Sequence, residues 1–207
     1  MVGNCSHPDG AGTVPTLSMG PESTRTMKRR LAICDLDGTL IDSDRALVDA
    51  FVALGVDPSA VSFGHVIGDE CTRLGISVEE YVAAYDDEIV QPFAGVAEMI
   101  SQLDRWAVCS NKHPVSGRAE LQRLHWMPEV AFFTDSFAGP KAVEPVIEAM
   151  GIDPADVVFL GDTAHDRACA NRAGVTFALA GWNPRAQSEA TDVVLAEPGD
   201  LLALLGF

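Results

Sequence analysis

Asp35 and Asp37 end an apolar run, L-A-I-C-D-L-D-G-T-L from Leu31 to Leu40, one residue apart and just before Gly38. In extended chain, residues i and i+2 point to the same side, so both carboxylates are aimed at one spot where a strand gives out. Two anions so placed repel unless a cation sits between them. A second acidic pair, Asp162 and Asp166, follows the apolar run Val157 to Leu160 in G-D-T-A-H-D. A third run, Trp106 to Cys109, ends in Ser110-Asn111-Lys112, which adds a hydroxyl, an amide and an amine. Taken singly, S-N-K is an ordinary polar turn, and acids near a helix N-terminus are ordinary caps. Four acids at the carboxyl ends of strands in one sheet need more compensating charge than capping explains. Oxygen-only ligation of this kind suits Mg²⁺, which keeps several waters and takes a few carboxylates plus a substrate phosphate.

These residues need a sheet whose strands all end at one edge. From Leu31 onward, apolar runs bounded by turn residues alternate with stretches of helical period, the pattern of a parallel α/β sheet with helices on both faces. The expected strands are Leu31 to Cys34, Trp106 to Cys109, Val130 to Phe133, Val157 to Leu160, Val175 to Leu179 and Val193 to Leu195. Helices are expected over Gly95 to Leu103, Val115 to Leu124, Ala142 to Met150 and Asp166 to Ala173. The fold class is therefore α/β, a Rossmann-like core.

Between Asp42 and Pro92 the rhythm changes to helical patterns without a convincing strand. Ser43 is expected to cap a helix that buries Leu47, Phe51 and Leu54 and stops at Gly55, and Asp57-Pro58 to start another. Ser77-Val78-Glu79-Glu80 fits a capping box opening a helix to about Val90. This divides the chain into a core, 28–42 and 92–207, and an all-helical insertion, 43–91. An insertion after the first strand projects from the sheet's ligand-binding edge, so a lid is the economical reading and a decorative hairpin the alternative. Residues 43–91 carry ten acids against two arginines, half of the net charge.

The chain has 207 residues, 47% of them hydrophobic, enough for a real core. With 14 basic and 30 acidic side chains its net charge is −16, which repels phosphate backbones and anionic lipid, so neither nucleic acid nor membrane is an expected partner. Five scattered cysteines without a C-x-x-C pair argue against zinc or redox chemistry and for reduced thiols in a cytoplasm. Residues 1–27, rich in Gly, Pro, Ser and Thr, lack a signal-peptide hydrophobic stretch and read as a disordered tail.

The D-x-D-G-T-L box, S-N-K, Lys141 ahead of a helix and G-D-T-x-x-D occur in an order that resembles the haloacid dehalogenase superfamily of hydrolases. Within it, the chain is similar to the phosphoglycolate phosphatase type with a small helical cap. The resemblance implies that Asp35 is a nucleophile forming an aspartyl phosphate and that Asp37 is the general acid and then the base that activates water. It implies Mg²⁺ held by Asp35, the Asp37 carbonyl and Asp162, with Asp166 acting through water or by orienting the lysine. Ser110, with backbone N–H groups around Asn111, would take the phosphoryl oxygens, while Gly38 and Thr39 shape the turn at the substrate. Lys141 would hold the nucleophile, though Ala142 stands where the family often has proline; Lys112 is the fallback. His165 reads as a solvent-facing helix residue.

The implied activity is hydrolysis of a small phosphorylated metabolite. Asp37 favours phosphoryl transfer over dehalogenation, and an insertion without lysine disfavours phosphonate cleavage through a Schiff base. A sugar-phosphate mutase or another phosphotransferase is the alternative, and a non-catalytic binding module a weaker one. In the insertion, Phe63 to Leu74 is the candidate specificity loop, where His65 or Arg73 would meet a polar substrate or simply pack. The paucity of insertion cations hints at a leaving group without a second negative charge.

Overall fold

The computed structural model describes residues 1–3, 30–63 and 66–207; from residue 4, the expected tail lies outside the described residues. Strands β1 (Leu31–Cys34), β4 (Trp106–Cys109), β5 (Val130–Phe132), β6 (Val157–Gly161), β7 (Thr176–Ala180) and β8 (Val193–Leu195) form one sheet. Its order is β5-β4-β1-β6-β7-β8, parallel at every pairing. The chain crosses from one flank of β1 to the other after β5. The carboxyl ends of β1 and β6 thus face each other at the switch in strand order, where open α/β sheets leave a crevice.

Alternate strand residues go to opposite faces. Ala32, Cys34, Val108, Val158 and Leu160 bury one face with Met99 of α4 (Val96–Ile100), Leu121 of α5 (Pro114–Arg123) and Leu201 of α8 (Asp200–Leu205). Ile33, Ala107, Cys109 and Phe159 bury the other with Ile147 of α6 (Glu144–Met150) and Ala170 of α7 (Ala164–Ala173). Strands buried on both faces read as continuous apolar runs, which is why they stand out in the sequence.

Two short strands, β2 (Ile41–Asp42) and β3 (Gln91–Pro92), pair antiparallel, Ile41 with Pro92 and Asp42 with Gln91. Everything between them leaves and rejoins the core through this ladder. It comprises α1 (Asp44–Ala53), α2 (Ile67–Leu74) and α3 (Val78–Ala84), which close on their own cluster of Ala50, Phe51, Ile67, Cys71 and Tyr81. Phe51 and Tyr81 rings lie 4.8 Å apart. Among the described residues, no helix is long and apolar enough to cross a membrane.

Local chemistry moves several expected boundaries. The capping box at Ser77 forms, but α3 stops at Ala84 because Tyr85 turns extended, and a separate 3-10 turn, Asp87–Ile89, follows on the Asp86 side chain. Asp57-Pro58 opens only a 3-10 turn, Pro58–Ala60. Ser43 makes no side-chain cap on α1; its hydroxyl donates to Asp37 instead. Cys34, Cys71, Cys109 and Cys169 are free and buried, and burial pushes the Cys109 thiol up to about 12, which leaves it inert.

Candidate active site

A cavity of about 440 Å³ opens over the carboxyl ends of β1, β4 and β6 and is walled on the far side by the helical insert. Asp35 follows β1 directly, its N–H donating to the Leu160 carbonyl at 2.8 Å. Leu36 is buried in the core, so Asp35 and Asp37 both face the cavity from either side of it. The turn is tight: the N–H groups of Leu40 and Ile41 both return to the Leu36 carbonyl, at 2.9 and 3.1 Å. Gly38 sits at φ +73°, and a Cβ there would stand 2.5 Å from Asp162 Oδ2. The turn is glycine because the backbone needs left-handed φ and the second acidic strand end passes against it.

Lys141 is 2% exposed and donates to Asp35 Oδ1 and Asp166 Oδ1, 2.6 Å each. Burial alone would lower its pKa, but the two carboxylates raise it well above the ordinary lysine range. Asp166 spends its other oxygen on the Thr163 N–H and hydroxyl, at 3.0 and 2.6 Å, closing the capping box of α7. Burial pulls the Asp166 carboxyl up, but Lys141 and Thr163 hold it below its usual range. Both Asp166 oxygens are therefore engaged. Its geometry is that of a group orienting the lysine.

Asp162 is held by Thr39 Oγ1 at 3.1 Å and by Asn183 Nδ2 at 2.8 Å. Burial, reinforced by Asp35 and Asp166, pushes its carboxyl up to about 8. Burial also pushes Asp35 up to about 7, with Lys141 opposing and Asp166 and Asp37 adding to the rise. Oxygens of Asp35, Asp162 and Asp166 all lie within 4.8 Å of one another. Of these three buried carboxylates only Asp35 and Asp166 pair with Lys141, which leaves an excess of negative charge in an all-oxygen donor set. These residues fit a hard divalent cation.

The polar segment after β4 completes the floor. Ser110 is buried and lines the cavity; its hydroxyl accepts from the Lys112 N–H at 3.3 Å. Asn111 Oδ1, also at the cavity, is buried without a partner among the described residues. Lys112 does not approach Asp35. Its Nζ donates to Asp37 Oδ1 at 2.6 Å and to the Tyr85 hydroxyl at 2.8 Å, and lies 2.9 Å from Glu120 Oε1. Burial alone would lower its pKa, but Asp37 and Glu120 more than offset this and raise it.

Several expected placements differ. Thr39 is fully buried and does not line the cavity; its hydroxyl positions Asp162. His165 faces the cavity rather than solvent, with a buried Nε2 that lacks a partner among the described residues, and burial lowers its pKa. Of the expected specificity loop, Phe63 and Ile67 line the cavity, Gly64 and His65 lie outside the described residues, and Arg73 turns away to pair with Glu70 and the Ala60 carbonyl. The cation on the insert's side comes from the core: Arg185 sits 3.9 Å from the Phe63 ring centre and pairs with Asp44. Asn183, Arg185, Tyr85 and Glu120 were not among the expected site residues. Asn183 and Arg185 follow β7, beside β6 in the sheet, and that position was the available signal.

A family model described as haloacid dehalogenase-like hydrolase matches residues 30–174. The chain is 26% identical to pyrophosphatase PpaX of Halalkalibacterium halodurans, over 87% of this chain and 98% of that one. It is 28% identical to a phosphoglycolate phosphatase of Aquifex aeolicus, over 85% and 96%. The fold matches a haloacid dehalogenase-like family hydrolase of Streptococcus pneumoniae at TM-score 0.68 and 18% identity, covering 86% of this chain and 98% of that one. An acidic crevice at the strand-order switch, a lysine bridging two of its carboxylates and the match across the core together place this chain among the haloacid dehalogenase-like hydrolases.

Proposed function

We propose that the protein is a Mg²⁺-dependent phosphatase that hydrolyses a small phosphorylated metabolite through an aspartyl phosphate on Asp35. One observation carries this reading: Lys141 joins Asp35 to Asp166 at 2.6 Å each, fixing one buried carboxylate as a nucleophile beside Asp162 and Asp37. Asp35 attacks phosphorus, and the bond from phosphorus to the ester oxygen breaks. Asp37 gives its proton to the departing oxygen, then takes one from the water that attacks the aspartyl phosphate, releasing inorganic phosphate and restoring Asp35. Ser110 Oγ and the backbone around Asn111 receive phosphoryl oxygens. Asp35, the Asp37 carbonyl and Asp162 would hold Mg²⁺, which when bound neutralises charge between these carboxylates and the phosphoryl group.

The insert acts as a cap. Leu47, Phe63, Ile67 and Tyr81 present a largely apolar wall to the cavity and exclude bulk water from the reacting group. The names of the relatives make pyrophosphate and phosphoglycolate the first compounds to try. The test is phosphate release from a panel of phosphorylated metabolites containing both, with and without Mg²⁺, using Asp35→Asn as the blank. Selective turnover that needs the metal and vanishes in Asp35→Asn is expected. Silence across the panel with folded protein and Mg²⁺ would overturn the reading.

A further inference from the structure

Lys112 and Glu120 form a buried charged pair that the chemistry above does not use. Glu120, on α5, is 0% exposed, and Lys112 is 7% exposed. The Tyr85 hydroxyl, which comes from the insert just after α3, donates to Glu120 Oε1 at 2.7 Å and accepts from Lys112 at 2.8 Å. The ammonium also lies 4.7 Å from the centre of the Tyr85 ring. Two residues from separate parts of the chain, Glu120 and Tyr85, thus fix one ammonium in space. Its remaining strong contact is Asp37 Oδ1, at 2.6 Å. Ser43, where the chain enters the insert, donates to that same oxygen at 2.5 Å. Both contacts fall on Oδ1 and leave Oδ2 outside them.

A buried ion pair is a poor way to hold a loop against a helix, since apolar side chains of similar volume do so at lower desolvation cost. The arrangement makes sense if the ammonium itself is wanted beside Asp37. Glu120 divides the lysine's charge between two carboxylates, so Asp37 gains a fixed anchor without facing an undiluted cation. We propose that Lys112, buttressed by Glu120 and Tyr85, is the positioning residue for Asp37, holding Oδ1 so that Oδ2 delivers the proton to the leaving group. The proposal rests on the reading of Asp37 as the general acid.

The test compares kcat/KM for an aryl phosphate with a good leaving group, p-nitrophenyl phosphate, and an alkyl phosphate that needs protonation, β-glycerophosphate. This parameter ends at phosphoryl transfer to Asp35, so the later water step does not enter. Lys112→Met is expected to lower kcat/KM for β-glycerophosphate about tenfold more than for p-nitrophenyl phosphate, a part of the roughly 10²- to 10⁴-fold that a general acid contributes in full. Tyr85→Phe removes one oxygen, keeps the ring, and is expected to show the same selectivity at about threefold, which covers the case of a Lys112→Met protein that does not fold. Asp37→Asn provides the reference. If Asp37→Asn is selective but the Lys112 and Tyr85 variants lower both substrates equally or neither, the positioning role is overturned alone. If Asp37→Asn itself is unselective, the acid assignment falls and the Lys112 role with it.

Discussion

Asn183 hydrogen-bonds both the main-chain carbonyl of Gly38 and the carboxylate of Asp162, 2.8 Å each, and so fastens the ends of β1 and β6 to one another. Its Oδ1 accepts the Arg185 N–H at 2.9 Å, which sets the amide's orientation. An amide so placed, buried and outside the cavity lining, fixes where Asp162 stands relative to Asp35.

Loss of such a partner costs a metal site affinity more than it costs rate. Asn183→Ala is expected to raise the Mg²⁺ concentration for half-maximal activity about 10- to 100-fold while kcat at saturating metal stays near wild type. A Mg²⁺ titration of phosphate release reads this directly. An unchanged half-point with a depressed plateau would assign Asn183 to the catalytic step instead.

Gly38→Ala combines two penalties. The left-handed backbone at φ +73° costs a residue with a Cβ about 1–3 kcal/mol, and the new methyl would stand 2.5 Å from Asp162 Oδ2. Because the clash falls on a carboxylate of the proposed active site, activity is expected to fall by about 100-fold or more, beyond what the stability loss explains. Denaturant unfolding and kcat/KM on the same preparation separate the two effects.

The core strands were legible because they are apolar almost throughout, Thr176 of β7 being the exception, and bounded by turn residues, and the acids at their ends follow from that frame. Asp35, Asp37, Ser110, Asn111, Lys141, Asp162 and Asp166 all come to one crevice or its walls. What the sequence hid is set by long-range contact. Lys112 and Asp37 are 75 residues apart in the chain, and Glu120 lies on a helix whose pattern gives no sign that this acid is wholly buried. Ser43 looks like an N-cap by type and position, but the half-buried Asp37 carboxylate outcompetes the helix for its hydroxyl. The two-residue strands β2 and β3 are too short to carry a period of their own and exist because they pair.

The insert's stability rests on few residues. Phe51 is fully buried against Tyr81, in a cluster with four other buried members among the described residues. Phe51→Ala is expected to destabilise this segment by about 3–5 kcal/mol, with little change in the core sheet. Hydrogen exchange should then show faster opening in α1, α2 and α3 while β1, β4 and β6 stay protected. Uniform loss of protection across the sheet would mean that insert and core unfold as one unit.

Metal and pH should act on the same carboxylates. In the folded chain without metal, Asp35 is raised to about 7 and Asp162 to about 8, against 3.8 for an ordinary aspartate. The folded state therefore binds more protons than the unfolded one between those limits. Stability from these groups is fully present at the acid end and is lost as pH rises through about 7 to 8. Glu120, raised to about 7 by burial, adds to the same trend. Asp166 is lowered, so its contribution is lost only in more acidic solution, and Lys141 is raised, so its contribution is lost only above the ordinary lysine range. EDTA-treated protein is thus expected to show a Tm that falls between about pH 5.5 and pH 8.5. Added Mg²⁺ favours the ionised carboxylates, so its stabilisation should be larger at the alkaline end and should flatten the profile. Asp162→Asn removes one of the repelling charges, and its EDTA-treated form should lose less stability on the alkaline side and gain less from Mg²⁺. Thermal melts of both proteins across this pH range check the sign: a Tm that rises with pH in EDTA would mean that these carboxylates are not the dominant buried charges.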